Sequence, residues 1–396
     1  MVRGVLRKAK VAEGEEIVFV SLIEESRRGK GSKGKGGSEK AKAWLEDGRL
    51  SLEEATFLVE KGKLRVEDAE GKELSVEGFL SVALAIQPRF MLRYIVFRDL
   101  RERGYAVRCG KDFFWLFPRG SKGEKPAKAF IRILSERDAV SLAEIERLVS
   151  LAENMRKEAI LAIVDEESDI TYYEVRSFKV ADTLRNEAEE QKEGERKEGA
   201  TAAEASLLGD RVFIWDAENV RHIHDFGTLT QEGKLQLSLV EAAYLLKKGI
   251  ISVKNVSEDA SASAKAKAKA KVGVAVEECE NEKEAVSARM DFSQFVRHAS
   301  AVDECFSAKF AVYEDLRERG LIPKTGFKFG SHFRVYEASC DKHSAFLVHV
   351  LPAEHTFSTH ELARAVRLAH GVRKRMLFAF IRNGGVKYVE VARKKL

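Results

Sequence analysis

GFKFGSHFRVYE, residues 326–337, alternates bulky and polar side chains among glycines and reads as a strand or hairpin. AFLVHVL (Ala345–Leu351) follows as a second strand, and HELARAVRLAHGVRKR (His360–Arg375) as an amphipathic helix. Thr359 or Ser358 is placed to cap that helix, with Leu362, Val366 and Ala369 as its buried stripe. Arg364, Arg367, Gly371 and Lys374 recur at spacings of three, four and three, which predicts a second, basic face. Tyr336, His343 and Lys374 are therefore expected to meet beside that face. A phenol, an imidazole and an ammonium form a set suited to phosphodiester chemistry on RNA.

Working outward, the chain is an internal duplication. SLEEATFLVEKGKLRV (Ser51–Val66) matches SLVEAAYLLKKGIISV (Ser238–Val253), and YIVFRDLRERGYAV (Tyr94–Val107) matches FAVYEDLRERGLIP (Phe310–Pro323), with DLRERG identical. EIERLVSLAENMRKEAILAIV (Glu144–Val164) matches ELARAVRLAHGVRKRMLFAFI (Glu361–Ile381) in the same order. Each half is expected to hold a small unit whose helix ends in Lys-Gly, where glycine fits a left-handed cap. A helix, several strands, a long amphipathic helix and a final strand pair come next. Mixed elements of this kind predict α/β or α+β units, not an all-α or all-β fold.

The 396 residues suggest two to four domains, with 44% hydrophobic residues, 33% charged and a net charge of +5. That mild basic excess permits an anionic partner without demanding one. Four scattered cysteines with no CxxC pair argue against a disulfide scaffold or zinc ribbon. No signal segment and no long apolar run is present, which predicts a soluble, cytoplasmic protein with no membrane association. Residues 181–205 are charged and poor in large apolar side chains, so they read as the linker between halves. The 255–285 stretch includes the Lys-Ala run of Ser261–Gly273 and reads as a spacer. RRGKGSKGKGGSEKAK (27–42) is a basic, glycine-rich insertion, either a flexible loop or an extra phosphate contact.

The halves differ where chemistry is expected. Shifted by the offset of the DLRERG helices (94 to 310), Tyr336 projects onto Gly120; with the offset of the last helices (144 to 361), His343 projects onto Pro126. Lys374 alone has a like partner, Lys157, and all nine histidines lie at or after His222. The later copy thus reads as catalytic and the earlier as structural. After its shared strand the first half continues VDEESD, so Asp165, Glu166, Glu167 and Asp169 crowd a hairpin tip. Such a run is ordinarily a solvated turn, but it also suits docking onto a basic cleft in a second copy. His222 and His224 read as part of a surface strand, with no carboxylate or cysteine cluster at ligand spacing; no metal site or cofactor is expected.

These residues resemble the archaeal tRNA-splicing endonucleases, in the tandemly fused form that works as a homodimer. TGFKFGSHFRVYE, HSAFLVHVL and ARAVRLAHGVRKRM are similar to that family's catalytic C-terminal domain, and SLVEAAYLLKKG to its N-terminal domain. The resemblance implies that Tyr336, His343 and Lys374 are the catalytic residues and that Arg367 stacks on a bulged base. Arg393 is the nearest candidate for a second such arginine, with Arg364 a further RNA contact. It also implies that Asp165, Glu166, Glu167 and Asp169 form a dimer-docking loop. The expected domains are an N-terminal unit (1–90), a structural nuclease-like domain (91–180), a linker (181–205), a second N-terminal unit with its spacer (206–285) and a catalytic domain (286–396). The implied activity is metal-independent cleavage of precursor tRNA at a bulge-helix-bulge motif, with no nucleotide cofactor, by the RNA's own 2′-hydroxyl. The products are a 2′,3′-cyclic phosphate and a 5′-hydroxyl. The competing reading is a non-catalytic protein that binds structured RNA.

Overall fold

The computed structural model describes residues 2–10, 16–23, 49–68, 70–121, 125–178, 202–216, 223, 225–256, 289–338 and 341–396. The basic 27–42 insertion, His222, His224, nearly all of the 255–285 spacer and most of the 181–205 stretch lie outside the described residues. The strand Ala203–Leu208 begins inside the stretch expected as linker, with Ala205 and Leu207 in a core. Two compact units result. One comprises Met1–Ser177, Glu354–Arg367 and Val391–Leu396; the other comprises Phe178–Ala353 and Leu368–Glu390. Among the described residues no single helix is long and apolar enough to cross a membrane.

Duplication is visible in the details of each element. The helices Leu52–Glu60 and Leu239–Lys247 both open with a capping box, Ser51 with Glu54 and Ser238 with Glu241. Both stop at Lys-Gly, where Gly62 (φ 64°) and Gly249 (φ 71°) take up the left-handed conformation. In the first unit Val2–Lys10 runs antiparallel to Glu16–Ile23 and parallel to Leu64–Glu67. In the second, Ala203–Leu208 runs antiparallel to Arg211–Ile214 and parallel to Ile251–Asn255.

Each half of the sequence then repeats one α/β pattern. In the first, the helix Phe90–Glu102 precedes strands Ala106–Cys109, Phe114–Phe117, Ala129–Ser135, Glu158–Val164 and Ile170–Ser177, which lie side by side in that order. In the second, the helix Phe306–Glu318 precedes Ile322–Thr325, Phe333–Tyr336, Phe346–Val350, Arg375–Arg382 and Gly385–Lys394, again in order. The third and fourth strands of each set are parallel, so a helix must join them: Leu142–Met155 in one case and Thr359–Gly371 in the other. Alternate residues Phe333, Val335, Phe346, Val348, Leu377 and Ala379 pack on Val312, Tyr313 and Leu316 of the preceding helix.

Three expectations need correction. The run from Gly326 is not a strand at its start: Phe327–Phe329 is a 3-10 turn closed by Gly330 (φ 60°), and only Phe333–Tyr336 is extended. A Cβ at Gly326 would meet Ser331 Oγ at 2.4 Å and the Phe333 carbonyl carbon at 2.8 Å, so the chain turns tightly where only glycine fits. The last helix ends at Gly371, so Lys374 lies beyond it and not on its basic face. Arg373 (φ 56°) reverses the chain there, and Lys374 N–H closes the end by bonding Ala369 O at 2.9 Å. Finally, strand register pairs Tyr336 with Ile322 and, in the other unit, Phe117 with Ala106. The structural counterpart of Tyr336 is therefore Phe117 and not Gly120. The connection at 326–332 is three residues longer than that at 110–113, which shifts a constant-offset projection.

One buried bond recurs. Tyr172 donates its hydroxyl proton to Asp99 at 2.7 Å and Tyr388 donates to Asp315 at 2.7 Å, each beside an arginine of the shared DLRERG sequence. Burial, then the adjacent carboxylate, pushes each phenol far above its usual range. Tyr388→Phe leaves Asp315 paired with Arg319 and should lower unfolding free energy by about 1–2 kcal/mol in urea titration. Tyr172→Phe should do the same; a loss in one variant only would show that the two bonds are not equivalent.

Candidate active site

Backbone register brings the positions of the three residues expected from sequence to one end of neighbouring strands in the second unit's sheet. Backbone pairing sets this: Ala345 N–H bonds Val335 O at 2.8 Å, and Arg375 N–H bonds Ala345 O at 3.0 Å. Tyr336 follows Val335, His343 precedes Ala345 by two residues, and Lys374 immediately precedes Arg375. With strands about 4.8 Å apart, the backbones at Tyr336 and Lys374 are separated by roughly 10 Å. Asp341 helps return the chain, its carboxylate accepting from Ala338 N–H at 2.9 Å and its own N–H bonding Ala338 O at 3.2 Å. Tyr336 is half-buried and His343 exposed.

Lys374 is the fixed member. Its Nζ donates to Ser344 O at 2.7 Å and lies 5.6 Å from the centre of the Phe329 ring, which the 3-10 turn supplies. Burial, followed by the nearby Arg334 guanidinium, holds its pKa below the usual lysine value. In the other unit Lys157 donates to Ala127 O at 2.6 Å, at the equivalent place. The lysine is thus first a fold element, present in both copies.

The hydroxyl and the imidazole belong to one copy alone. Phe117 keeps the ring of Tyr336 and lacks its oxygen, and Pro126 stands in place of His343. Among the described residues, neither the Tyr336 hydroxyl nor the His343 ring has a hydrogen-bond partner, in contrast to Tyr172 and Tyr388. Sequence reasoning missed Arg334, two residues before Tyr336 on the same strand, whose guanidinium carbon is 5.7 Å from the Tyr336 ring centre. Its signal was the two-residue spacing that puts both on one face.

The remaining candidates sit in the first unit. Tyr173 is buried, which pushes its hydroxyl up, and Arg367 then Arg393 pull it back, so both arginines lie near that one phenol. Arg364 is exposed one turn earlier in the helix. At the hairpin tip all four acids are exposed, but they are not alike. Asp165 Oδ1 accepts from Glu167 N–H at 3.0 Å and Asp169 N–H at 2.8 Å, shaping the turn, and Glu166 pairs with Arg137. Groups of three or more His, Cys, Asp or Glu able to hold a metal are absent among the described residues.

A duplicated α/β scaffold with a phenol, an imidazole and an ammonium placed in one copy defines the class of protein, and comparison with known proteins gives the family. The tRNA intron endonuclease catalytic C-terminal domain matches residues 90–172 and 306–388, and the N-terminal domain of the same enzymes matches 13–80 and 203–264. The tRNA-splicing endonuclease of Methanococcoides burtonii is 40% identical over 88% of this chain and 90% of its own. That of Methanosarcina mazei is 39% identical over 89% and 91%, and that of Natronomonas pharaonis 35% over 87% and 89%. The chain belongs to the tRNA intron endonuclease family, with both domains present twice.

His332, inside the GSH of the opening motif, has a different task from His343. Its Nδ1 accepts from Val350 N–H at 3.0 Å, and its ring lies edge-on to His349 at 5.5 Å. Burial, then the charges of Lys309 and His349, lower its pKa to about 4, against a smaller opposing pull from Asp303. The unfolded chain therefore binds this proton from pH 6.5 downward and the folded chain only near 4. Melting temperature should fall as pH drops through that window, and His332→Gln should flatten the slope. An unchanged slope in the variant would remove His332 as its source.

Proposed function

We propose that this tRNA-splicing endonuclease cuts precursor tRNA at a bulge-helix-bulge motif by attack of the 2′-hydroxyl on the adjacent phosphate, without a metal ion. The bond from 2′-oxygen to phosphorus forms as the bond to the 5′-oxygen breaks, leaving a 2′,3′-cyclic phosphate and a 5′-hydroxyl. Tyr336 acts as general base and takes the 2′-hydroxyl proton. His343, as imidazolium, gives its proton to the 5′-oxygen. Lys374 faces the negative charge that builds on the five-coordinate phosphorus. Arg367 and Arg393, which share the surroundings of Tyr173, grip extruded bases by stacking guanidinium on base, with Arg364 beside them on the phosphates.

The observation that carries this reading is the uncommitted hydroxyl and imidazole flanking a fixed ammonium, in the one copy where neither position is phenylalanine or proline. The enzyme is read as a cytoplasmic homodimer in which the acidic hairpin docks on a second copy.

His343→Ala should lower single-turnover cleavage about 10²–10⁴-fold while RNA affinity stays within about threefold. Wild-type cleavage should persist in EDTA, with cyclic-phosphate ends on the product. Strict dependence on a divalent ion, or a fully active His343→Ala enzyme, sinks the mechanism. Protein that binds folded precursor and never cuts it favours the non-catalytic reading.

For docking, Glu167→Gln with Asp169→Asn is the clean test, because Asp165 holds the turn and Glu166 has Arg137. The dimer should dissociate at least about tenfold more readily, with cleavage falling in step, and added salt should weaken the unmodified dimer likewise. A double variant that remains a fully active dimer removes the loop from the interface.

A further inference from the structure

Arg334 is a strongly basic side chain beside Tyr336 that the catalytic scheme leaves unused. It stands on the strand Phe333–Tyr336, where Phe333 and Val335 point into the core and Arg334 and Tyr336 point to the opposite face. Its guanidinium carbon lies 5.7 Å from the Tyr336 ring centre, and its charge helps hold the Lys374 ammonium below its usual pKa. Across the neighbouring strand its register partner is Lys324, so two cations face each other where like charges destabilise a sheet. Lys324 has compensation, from the Gly227 carbonyl at 3.2 Å and from the charges of Glu241 and Asp225. Arg334 and Lys374 have no carboxylate partner among the described residues, and the Arg334 Nε is shielded from water without a hydrogen bond.

The sister copy sharpens the point. By register the counterpart of Arg334 is Trp115, since Arg334 pairs with Leu347 as Trp115 pairs with Phe130. A cation near the ring is not by itself distinctive, because Arg108 lies 5.7 Å from the Phe117 ring. What distinguishes the second copy is the extra guanidinium beside the shared lysine, in company with the hydroxyl and the imidazole. Such a cluster, without a counter-anion among the described residues, is arranged to receive one.

Resting on the proposed chemistry at this edge, we infer that Arg334 is a further catalytic residue, whose guanidinium binds a non-bridging oxygen of the scissile phosphate alongside Lys374. Two donors on a planar fork suit a phosphate oxygen pair better than a second ammonium would. Arg334 changes no covalent bond; it stabilises charge as the 2′-oxygen adds and the 5′-oxygen leaves.

The test compares wild type, Arg334→Met, Arg334→Lys and His343→Ala on one precursor tRNA, under single-turnover conditions with saturating enzyme in EDTA. Arg334→Met should cleave about 10²-fold or more slowly, with RNA affinity changed less than about threefold, and Arg334→Lys should recover part of the rate. Sulfur replacing one non-bridging oxygen of the scissile phosphate should slow wild type, and that effect should shrink in Arg334→Met because the contact is already gone. Thermal melting of each variant identifies loss through misfolding, in which case Arg334→Lys and its sulfur effect decide. Cleavage within threefold of wild type overturns the inference, as does a loss matched by RNA affinity with an unchanged sulfur effect. An inactive His343→Ala beside a normal Arg334→Met refutes only the role of Arg334, whereas a normal His343→Ala refutes the site reading beneath it.

Discussion

An ammonium tied to a backbone carbonyl fixes the geometry on which the rest depends. Lys374 reaches Ser344 O across the start of two parallel strands, as Lys157 reaches Ala127 O in the other copy. The bond joins the segment leaving the crossover helix to the segment entering the neighbouring strand, so it sets where both begin. A charge-assisted bond of this kind is stronger than a neutral one, and its half-buried setting reduces competition from water. Because the sister copy keeps it without the other two groups, its structural role stands independently of any chemistry.

That bond explains how a general scaffold can carry a specific reaction. With the lysine held, the proposed acid–base pair takes two nearby positions: the end of one strand and the loop entering the next. Register places Tyr336 at the first and leaves His343 on the loop before the second. Phe117 and Pro126 occupy those places in the first copy, so the ring packing survives while the titratable groups do not.

Much of this was legible in the sequence, for identifiable reasons. Matched helices and strands revealed the duplication because side-chain periodicity survives divergence, and the stripe of Leu362, Val366 and Ala369 is buried as its spacing requires. Ser358 proves to be a helix cap, accepting from Glu361 N–H at 3.1 Å. Less legible was anything set by chain reversal. The 3-10 turn at Phe327–Phe329 carries the pattern of a strand because alternating aromatics give the same signal in both settings. Spacing alone places Lys374 on a helix face, because it does not reveal that the helix stops at Gly371 and the chain reverses through the left-handed Arg373. Projecting Tyr336 onto Gly120 failed because a three-residue difference in loop length is invisible to a constant offset, whereas hydrogen-bonded register is not.

The two copies also differ in how the corresponding face is packed. Where the first copy has Trp115 and Phe117, Trp115 sits 6.0 Å from the Phe130 ring and Phe117 is largely buried, so that face is closed by packing. Where the second has Arg334 and Tyr336, packing is replaced by a guanidinium and a hydroxyl that, among the described residues, have neither an ion-pair nor a hydrogen-bond partner. An arrangement of that sort weakens a lone domain, and functional sites commonly depart from the stability optimum. Duplication relaxes the conflict: one copy can keep an apolar, well-packed face while the other carries the polar groups of the proposed site. The asymmetry between Trp115 and Arg334 is then part of the same division of labour as that between Phe117 and Tyr336.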